Sequence, residues 1–126
     1  KPILSLGKNF IHVHPGKLPE FRGSTCFYYS LLKGNKCFCS AFLMNEQLDS
    51  GKIFSVNEYF PEKGIDMDYV FDPWMRSDTI CDVFKNFDFS NEVILNSNDS
   101  NESKMYYIIH PVLKHLAILK SNKNEI

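Results

Sequence analysis

Residues 11–23, which read IHVHPGKLPEFRG, form the segment that the rest of this chain is expected to support. The β-branched and aromatic residues at their start predict a strand over residues 9–14, and Pro15 ends it abruptly. His12 and His14 are two residues apart, so in a strand both side chains leave the backbone on the same face. The sequence therefore places two imidazoles together at the mouth of a loop.

The loop itself is predicted to be a rigid binding loop. Its prolines fix the backbone angle φ, and its glycines permit angles that other residues avoid. These residues are Pro15, Gly16, Pro19 and Gly23.

Two motifs together resemble a known family. The first is His-Pro-x-x-Leu-Pro-x-x-x-Gly, from His14 to Gly23, and the second is Leu-Asp-x-Gly, from Leu48 to Gly51. At this separation they resemble the formyltetrahydrofolate-dependent formyltransferases, which include the methionyl-tRNA, glycinamide ribonucleotide and sugar-nucleotide formyltransferases. The resemblance covers about the first half of the chain.

The resemblance implies that a formyl group passes from N10-formyltetrahydrofolate to an amine. His14 and Asp49 stand at the positions of the family's catalytic His and Asp, and His12 stands where the family has a catalytic Asn. A neutral imidazole can donate one hydrogen bond, so His12 can take the part of that Asn. The residues implied in binding substrate or cofactor are Pro15, Gly16, Leu18, Pro19, Gly23 and Leu48.

For the fold, the resemblance implies an α/β domain containing part of a Rossmann-like formyltransferase sheet with flanking helices. We expect residues 1–126 to be a single catalytic domain and a fragment of a longer one, its C-terminal part. The family's N-terminal βαβ portion is expected to be missing, because only eleven residues precede His12. A natural truncation is the alternative, and it would have to bury its sheet edge against another chain, such as a second copy.

Composition fits one globular domain. The chain has 126 residues, of which 44% are hydrophobic and 23% charged. A formal net charge of -1 disfavours nucleic acid as a partner and favours a small-molecule amine acceptor. The sequence has no recognisable signal peptide and no apolar run that could span a bilayer, so the default expectation is a cytoplasmic protein.

Local patterns predict the remaining elements. We expect a helix from Ser24 or Thr25 to about residue 33, with Gly34 in the left-handed position after it. Strands are predicted over residues 36–44, buried on both faces, and 52–60, with Asp49 in their connection.

The second half is less regular. We expect a solvated acidic loop over residues 61–73 and a helix from Ser77 to about residue 86. Short strands are predicted over 93–95 and 105–109, and a helix over 111–120 before a polar tail. The helix that starts at Ser77 is predicted to bury one face, which consists of Ile80, Val83, Phe84 and Phe87.

The expected chemistry follows from the side chains. The pKa of an unperturbed imidazole is about 6.5, which suits His14 to both proton steps of formyl transfer. A carboxylate beside it, assigned to Asp49, would raise the pKa of His14. His12 would donate to the carbonyl oxygen, with a contribution of ~3 kcal/mol by analogy with other oxyanion donors.

Other interpretations stay open. The histidines could be two polar residues at a strand end, or could form a two-His, one-carboxylate metal site with Asp49, although we expect no metal here. The cysteines lack the spacing of a zinc site and are expected to be buried, reduced thiols.

The function also has alternatives. The chain could be a non-catalytic binding module of the same fold, a methionyl-tRNA formyltransferase or a hydrolase of formyltetrahydrofolate. An amino-sugar nucleotide is the favoured acceptor, because the sequence shows neither a basic surface signal nor an appended tRNA-binding domain.

Overall fold

The computed structural model describes residues 3–86 and 103–123. The fold is mixed α/β with flanking helices, as predicted, and its described strands form two small sheets. Along the chain the described strands and α-helices are β1 (Ile11–His14), β2 (Phe21–Gly23), α1 (Cys26–Gly34), β3 (Cys37–Leu43), β4 (Ile53–Tyr59), α2 (Asp72–Asn86), β5 (Lys104–Tyr106) and α3 (Pro111–Lys123).

The larger sheet has the order β1-β3-β4, and its neighbouring strands are antiparallel. In its register His12 faces Phe42, and His14 faces Ser40. The smaller sheet pairs β2 with β5 in parallel. Strand β2 forms within the segment predicted as a loop, because Phe21 to Gly23 pair with the distant residues 104–106. Local sequence patterns cannot report such a long-range pairing.

Strand β3 is the centre of the core. As predicted, it is covered on both faces: Cys37, Cys39 and Ala41 are completely buried, and Phe42 is 2% exposed. Helix α1 supplies the neighbouring core residues. The main cluster consists of Phe27, Tyr28, Leu31, Cys37, Cys39, Tyr59, Met67, Phe71, Met75, Ile109 and Ala117.

The ends of α1 differ from the prediction. Thr25 lies at the N-terminal cap but has φ 53° and makes no side-chain capping bond. Its hydroxyl instead accepts a hydrogen bond from the backbone N–H of Ile109 at 2.9 Å and so ties α1 to the segment before α3. Gly34 remains within the helix, and Asn35 takes the left-handed conformation with φ 59°. Asparagine tolerates that region better than most residues.

Helix α2 begins earlier than predicted. One turn of π-helix over Met67–Phe71 leads directly into it, and the carboxylate of Asp66 caps that turn by accepting from the backbone N–H groups of Asp68 and Tyr69. The prediction of a loop up to residue 73, with a helix starting at Ser77, was therefore wrong. An acidic segment that reads as a solvated loop contains a strong N-terminal cap.

The buried face of α2 consists of Met75, Thr79 and Val83, which are four residues apart. Val83 was correctly predicted, Ile80 is only half-buried, and Phe84 is 65% exposed. The stripe is displaced by one position because the helix packs on the sheet through Met75.

Other predictions fall partly outside the described structure. The strand at residues 93–95, Phe87 and the last three residues of the tail lie outside the described ranges. Strand β5 ends at Tyr106, three residues before the predicted end. Helix α3 starts at Pro111 as predicted and extends to Lys123, beyond the expected end at residue 120. In the described part of the chain, every helix is too short or too polar to cross a membrane.

Candidate functional site

His14 is the last residue of β1 and is 2% exposed. Its Nε2 lies 2.9 Å from the carbonyl oxygen of Phe21, at the start of β2. A carbonyl oxygen only accepts, so this contact assigns the proton of the neutral ring to Nε2. The lone pair of His14 is therefore on Nδ1.

Asp49 lies beside Nδ1 of His14. It lies in the connection between β3 and β4, is 7% exposed, and has φ 48°, a conformation in which aspartate is more common than most residues. Its Oδ2 is 3.6 Å from Nδ1 of His14 and accepts a hydrogen bond of 2.8 Å from the backbone N–H of Gly23. The two sequence motifs thus meet at one carboxylate oxygen.

His12 completes the cluster. It lies on the same side of β1 as His14, is half-buried, and packs edge-on against the ring of Phe42 with 5.4 Å between centroids. The donor atoms of His12, His14 and Asp49 all lie within 4.8 Å of one another. The three residues that the sequence singled out as catalytic are therefore adjacent in space.

At two positions of the loop only glycine fits, because a Cβ atom there would collide with neighbouring atoms. A Cβ on Gly16 would lie 2.6 Å from Nε2 of His14 and would push against the imidazole. Gly23 has φ 103°, and a Cβ there would lie 2.1 Å from the carbonyl oxygen of Tyr106. Both residues let the backbone approach its neighbours closely, so their role in this structure is to shape the loop.

The remaining predicted binding residues divide into buried and exposed ones. Pro15 is buried beside His14, and Leu18 is 3% exposed and packs with Phe42 and Ile53 in a small second core. Leu18 therefore anchors the loop. Pro19 is half-buried and follows a cis peptide bond, and Leu48 is 62% exposed.

Ser40 is a site residue that the sequence analysis missed. It is completely buried in β3, donates a hydrogen bond of 2.6 Å to the carbonyl oxygen of Gly16, and accepts one of 3.0 Å from the N–H of Leu18. A serine within an otherwise apolar buried strand was the available signal, because a buried hydroxyl needs partners.

Arg76 of α2 was also missed. Its guanidinium donates to the carbonyl oxygen of Val13 at 3.1 Å and forms an ion pair with Asp72, with 3.0 Å between Nε and Oδ1. Val13 lies between the two histidines, so this contact brings a positive charge to the site. Nothing in the local sequence of α2 indicates such a long-range contact.

The charges around the histidines can be ranked. Burial lowers the pKa of His14, and neither the charge of Asp49 nor the carbonyl of Phe21 fully reverses that effect. Burial likewise lowers the pKa of His12, although Asp49 opposes it, and Arg76 lowers it further. The prediction that Asp49 raises the pKa of His14 was right for the carboxylate alone and wrong for the sum. Burial therefore favours the neutral form of both rings.

Cys26, Cys37 and Cys39 are buried free thiols, as predicted, and burial raises the pKa of Cys26 to about 12 and that of Cys39 to about 11. Cys81 is exposed, contrary to prediction, because α2 turns that face to the surface. His110 and His115 are exposed.

No protein-family model and no curated protein matches the sequence. Solved structures do match its fold. A candidate sugar N-formyltransferase from Mycobacterium tuberculosis has a TM-score of 0.64 and 18% identity, over 96% of this chain and 58% of that chain. HypX from Aquifex aeolicus, crystallised with tetrahydrofolic acid, has a TM-score of 0.63 and 13% identity, over 94% of this chain and 23% of that chain.

A third structure carries two ligands. The formyltransferase PseJ from Anoxybacillus kamchatkensis, in complex with a UDP-linked 4-formamido sugar and tetrahydrofolate, has a TM-score of 0.61 and 12% identity, over 78% of this chain and 52% of that chain. At these identities the matches show the fold. The chain has the fold seen in sugar N-formyltransferases and spans 58% of the length of the first of them.

Proposed function

We propose that this chain contributes the catalytic residues of an N-formyltransferase that uses N10-formyltetrahydrofolate. The observation that carries the proposal is the buried pair of His14 and Asp49, with 3.6 Å between Nδ1 and Oδ2. His12 lies beside this pair. The arrangement combines a proton acceptor, a carboxylate and a hydrogen-bond donor, which are the groups that acyl transfer to an amine requires.

The attacking amine must lose a proton as it adds to the formyl carbon. Nδ1 of His14 accepts that proton, because Nε2 already carries one that is held by Phe21. The imidazolium that forms then lies against the carboxylate of Asp49, which stabilises its charge. Because burial lowers the pKa of His14, the imidazolium readily returns the proton to the folate nitrogen when the bond between that nitrogen and the formyl carbon breaks.

His12 is proposed as the donor to the oxygen of the tetrahedral intermediate. Its neutral ring has one N–H, and in the described structure the ring is oriented by edge-on contact with Phe42. A fixed donor costs little reorganisation when negative charge develops on the oxygen.

The formyl donor and the formyl acceptor are proposed from the similarity of this fold to solved structures. Two of the matching structures, HypX and PseJ, were crystallised with tetrahydrofolate, and PseJ also holds a UDP-linked formamido sugar. We therefore propose an amino-sugar nucleotide as the acceptor. The near-neutral charge of this chain also agrees better with a small molecule than with tRNA.

The test is an assay with isotopically labelled N10-formyltetrahydrofolate and a panel of amino-sugar nucleotides, with initiator methionyl-tRNA and a sample without acceptor as further arms. The His14→Ala and Asp49→Asn variants should each reduce kcat by about 10²–10⁴-fold, the usual range for a positioned acid or base. His12→Ala should cost about 10²–10³-fold.

The matched control is His115→Ala, which removes an exposed imidazole of α3 and should leave turnover unchanged. Label in a formamido sugar supports the proposal. Free formate alone indicates hydrolysis, and formyl-methionyl-tRNA indicates the tRNA acceptor. Folded protein that binds tetrahydrofolate but transfers no label to any acceptor contradicts catalysis and leaves a binding module.

A further inference from the structure

A second chemical capacity is present in the same three side chains. Two imidazoles and one carboxylate form a donor set typical of divalent transition-metal sites, and their donor atoms lie within 4.8 Å of one another. We propose that His12, His14 and Asp49 bind one Zn²⁺ ion. The inference uses the residues of the proposed site, but it does not depend on formyl transfer.

The His14–Asp49 pair already has the spacing of two zinc ligands. Ligands bound at 2.0–2.2 Å in a tetrahedral site lie about 3.4 Å apart. Nδ1 of His14 and Oδ2 of Asp49 are 3.6 Å apart, so an ion could be bound by both with almost no movement.

The surrounding hydrogen bonds also suit a metal. Nε2 of His14 donates to the carbonyl oxygen of Phe21, which fixes the tautomer that leaves Nδ1 for the ion. The N–H of Gly23 binds Oδ2 of Asp49 and orients the carboxylate. Metal-binding histidines in proteins are commonly held in this way through their second nitrogen.

His12 is the third ligand. Its donor atom lies within 4.8 Å of those of His14 and Asp49, and a small shift of its half-buried ring brings that atom to bonding distance of the ion. Three protein ligands leave the fourth tetrahedral position open for water or another small molecule.

Arg76 is the nearby charge that opposes a cation. Its guanidinium forms an ion pair with Asp72 and donates to the backbone carbonyl of Val13. Asp72 is the ion-pair partner of this charge, and neither contact requires the positions of the three ligands to change.

Binding of Zn²⁺ would compete with proton transfer, because the ion occupies Nδ1 of His14. This consequence rests on the proposed function, so the binding itself is tested without donor or acceptor. Failure of the metal site and failure of the transferase are then separate results.

The experiment titrates untagged full chain, treated first with EDTA, with Co²⁺. Binding is followed by the visible absorption of the ion, and the affinity for Zn²⁺ is then measured by displacement. The wild-type chain should bind one equivalent with the spectrum of a tetrahedral site. His12→Asn, which removes the imidazole but keeps a polar side chain, should weaken binding at least tenfold.

Two controls address the other histidines and folding. His110→Asn and His115→Asn alter exposed residues of the α3 region and should bind Co²⁺ like the wild-type chain. Far-UV circular dichroism establishes that each variant is folded, and His12→Gln replaces His12→Asn if that variant is not. Equal affinity in the folded His12 variant, or loss of binding on changing His110 or His115, would overturn the proposal. An absence of one-equivalent binding in the wild-type chain would also overturn it.

Discussion

Two regions of the molecule hold their charged and polar side chains in different ways. At the loop after β1, the side chains of His14, Asp49 and Ser40 are buried, and each of them forms a hydrogen bond with backbone atoms. On the outer surface, Asp68 of the π-helical turn before α2 accepts hydrogen bonds from Lys114 of α3 and Tyr28 of α1, and its side chain is 43% exposed.

This difference in burial predicts how much stability the protein loses when a side chain in each region is changed. A buried donor or acceptor that loses its partner pays the full cost of desolvation, whereas an exposed ion pair is replaced by water at little cost. We therefore expect the loop to be sensitive to changes of a single methyl or hydroxyl group. The outer surface should be affected only slightly by the loss of a whole charge.

The largest expected effect is that of Gly16→Ala. The new Cβ would lie 2.6 Å from Nε2 of His14 and 2.7 Å from Cβ of Cys26, so the imidazole or the loop has to move. We expect the free energy of unfolding to fall by about 3 kcal/mol, at the upper end of overpacking costs. Chemical denaturation measures this loss, and formyl transfer should fall with it.

The matched control is Gly34→Ala in α1. No atom lies within 4 Å of the corresponding Cβ, so the substitution should raise stability by about 0.5–1 kcal/mol through helix propensity. If the two variants proved equally stable, the contrast between a filled and an open position would be wrong.

A smaller effect is expected for Ser40→Ala. The hydroxyl is completely buried and bonds to both the carbonyl of Gly16 and the N–H of Leu18, so its removal leaves a buried donor and a buried acceptor without this partner. The expected cost is about 2 kcal/mol in the free energy of unfolding.

Ser77→Ala is the control for this hydroxyl, because Ser77 lies exposed on α2 and donates to the carbonyl oxygen of Pro73. Water can take over that bond, so the loss should stay below about 0.5 kcal/mol. Thermal and denaturant unfolding of both variants test the prediction, and a larger loss for Ser77→Ala would contradict it.

The sequence predicted the part of the site that depends on local patterns. The paired histidines follow from strand alternation, and the position of Asp49 follows from the connection between two predicted strands. Their mutual contact was implied by the resemblance and is present in the structure. Ser40 and Arg76 were missed, because the site residues that they contact, Gly16, Leu18 and Val13, lie at least 22 residues away along the chain.

The strands and helices were also predicted correctly where the signal is local and missed where it depends on other parts of the structure. Strand β3 was predicted from its own run of apolar residues, and helix α3 from Pro111 at its first position, so both signals lie within the element itself. Strand β2 exists through pairing with β5, a contact between residues more than 80 positions apart. Helix α2 was placed too late because Asp66 looked like one more solvated carboxylate, although it caps the preceding turn.

The smallest expected effect concerns the exposed pair and its dependence on pH. Burial raises the pKa of Asp68, but hydrogen bonds from Lys114 and Tyr28 outweigh this and lower it below the ordinary value of 3.8. A lowered folded-state pKa contributes stability that is present above the unfolded value and is lost as pH falls through the folded one.

Lys114→Met should therefore cost only about 0.2–1 kcal/mol at pH 7, since both side chains are more than a third exposed. The difference from the wild-type chain should shrink below pH 4, as protonation of Asp68 removes the charge that Lys114 pairs with. Urea denaturation at a series of pH values measures it, and Lys123→Met, at the exposed end of the same helix, is the control. If the difference in the free energy of unfolding stayed constant from pH 7 to pH 2, Lys114 would act through packing of its methylenes. If Lys114→Met lost as much stability as Ser40→Ala, the contrast between the two regions would be wrong.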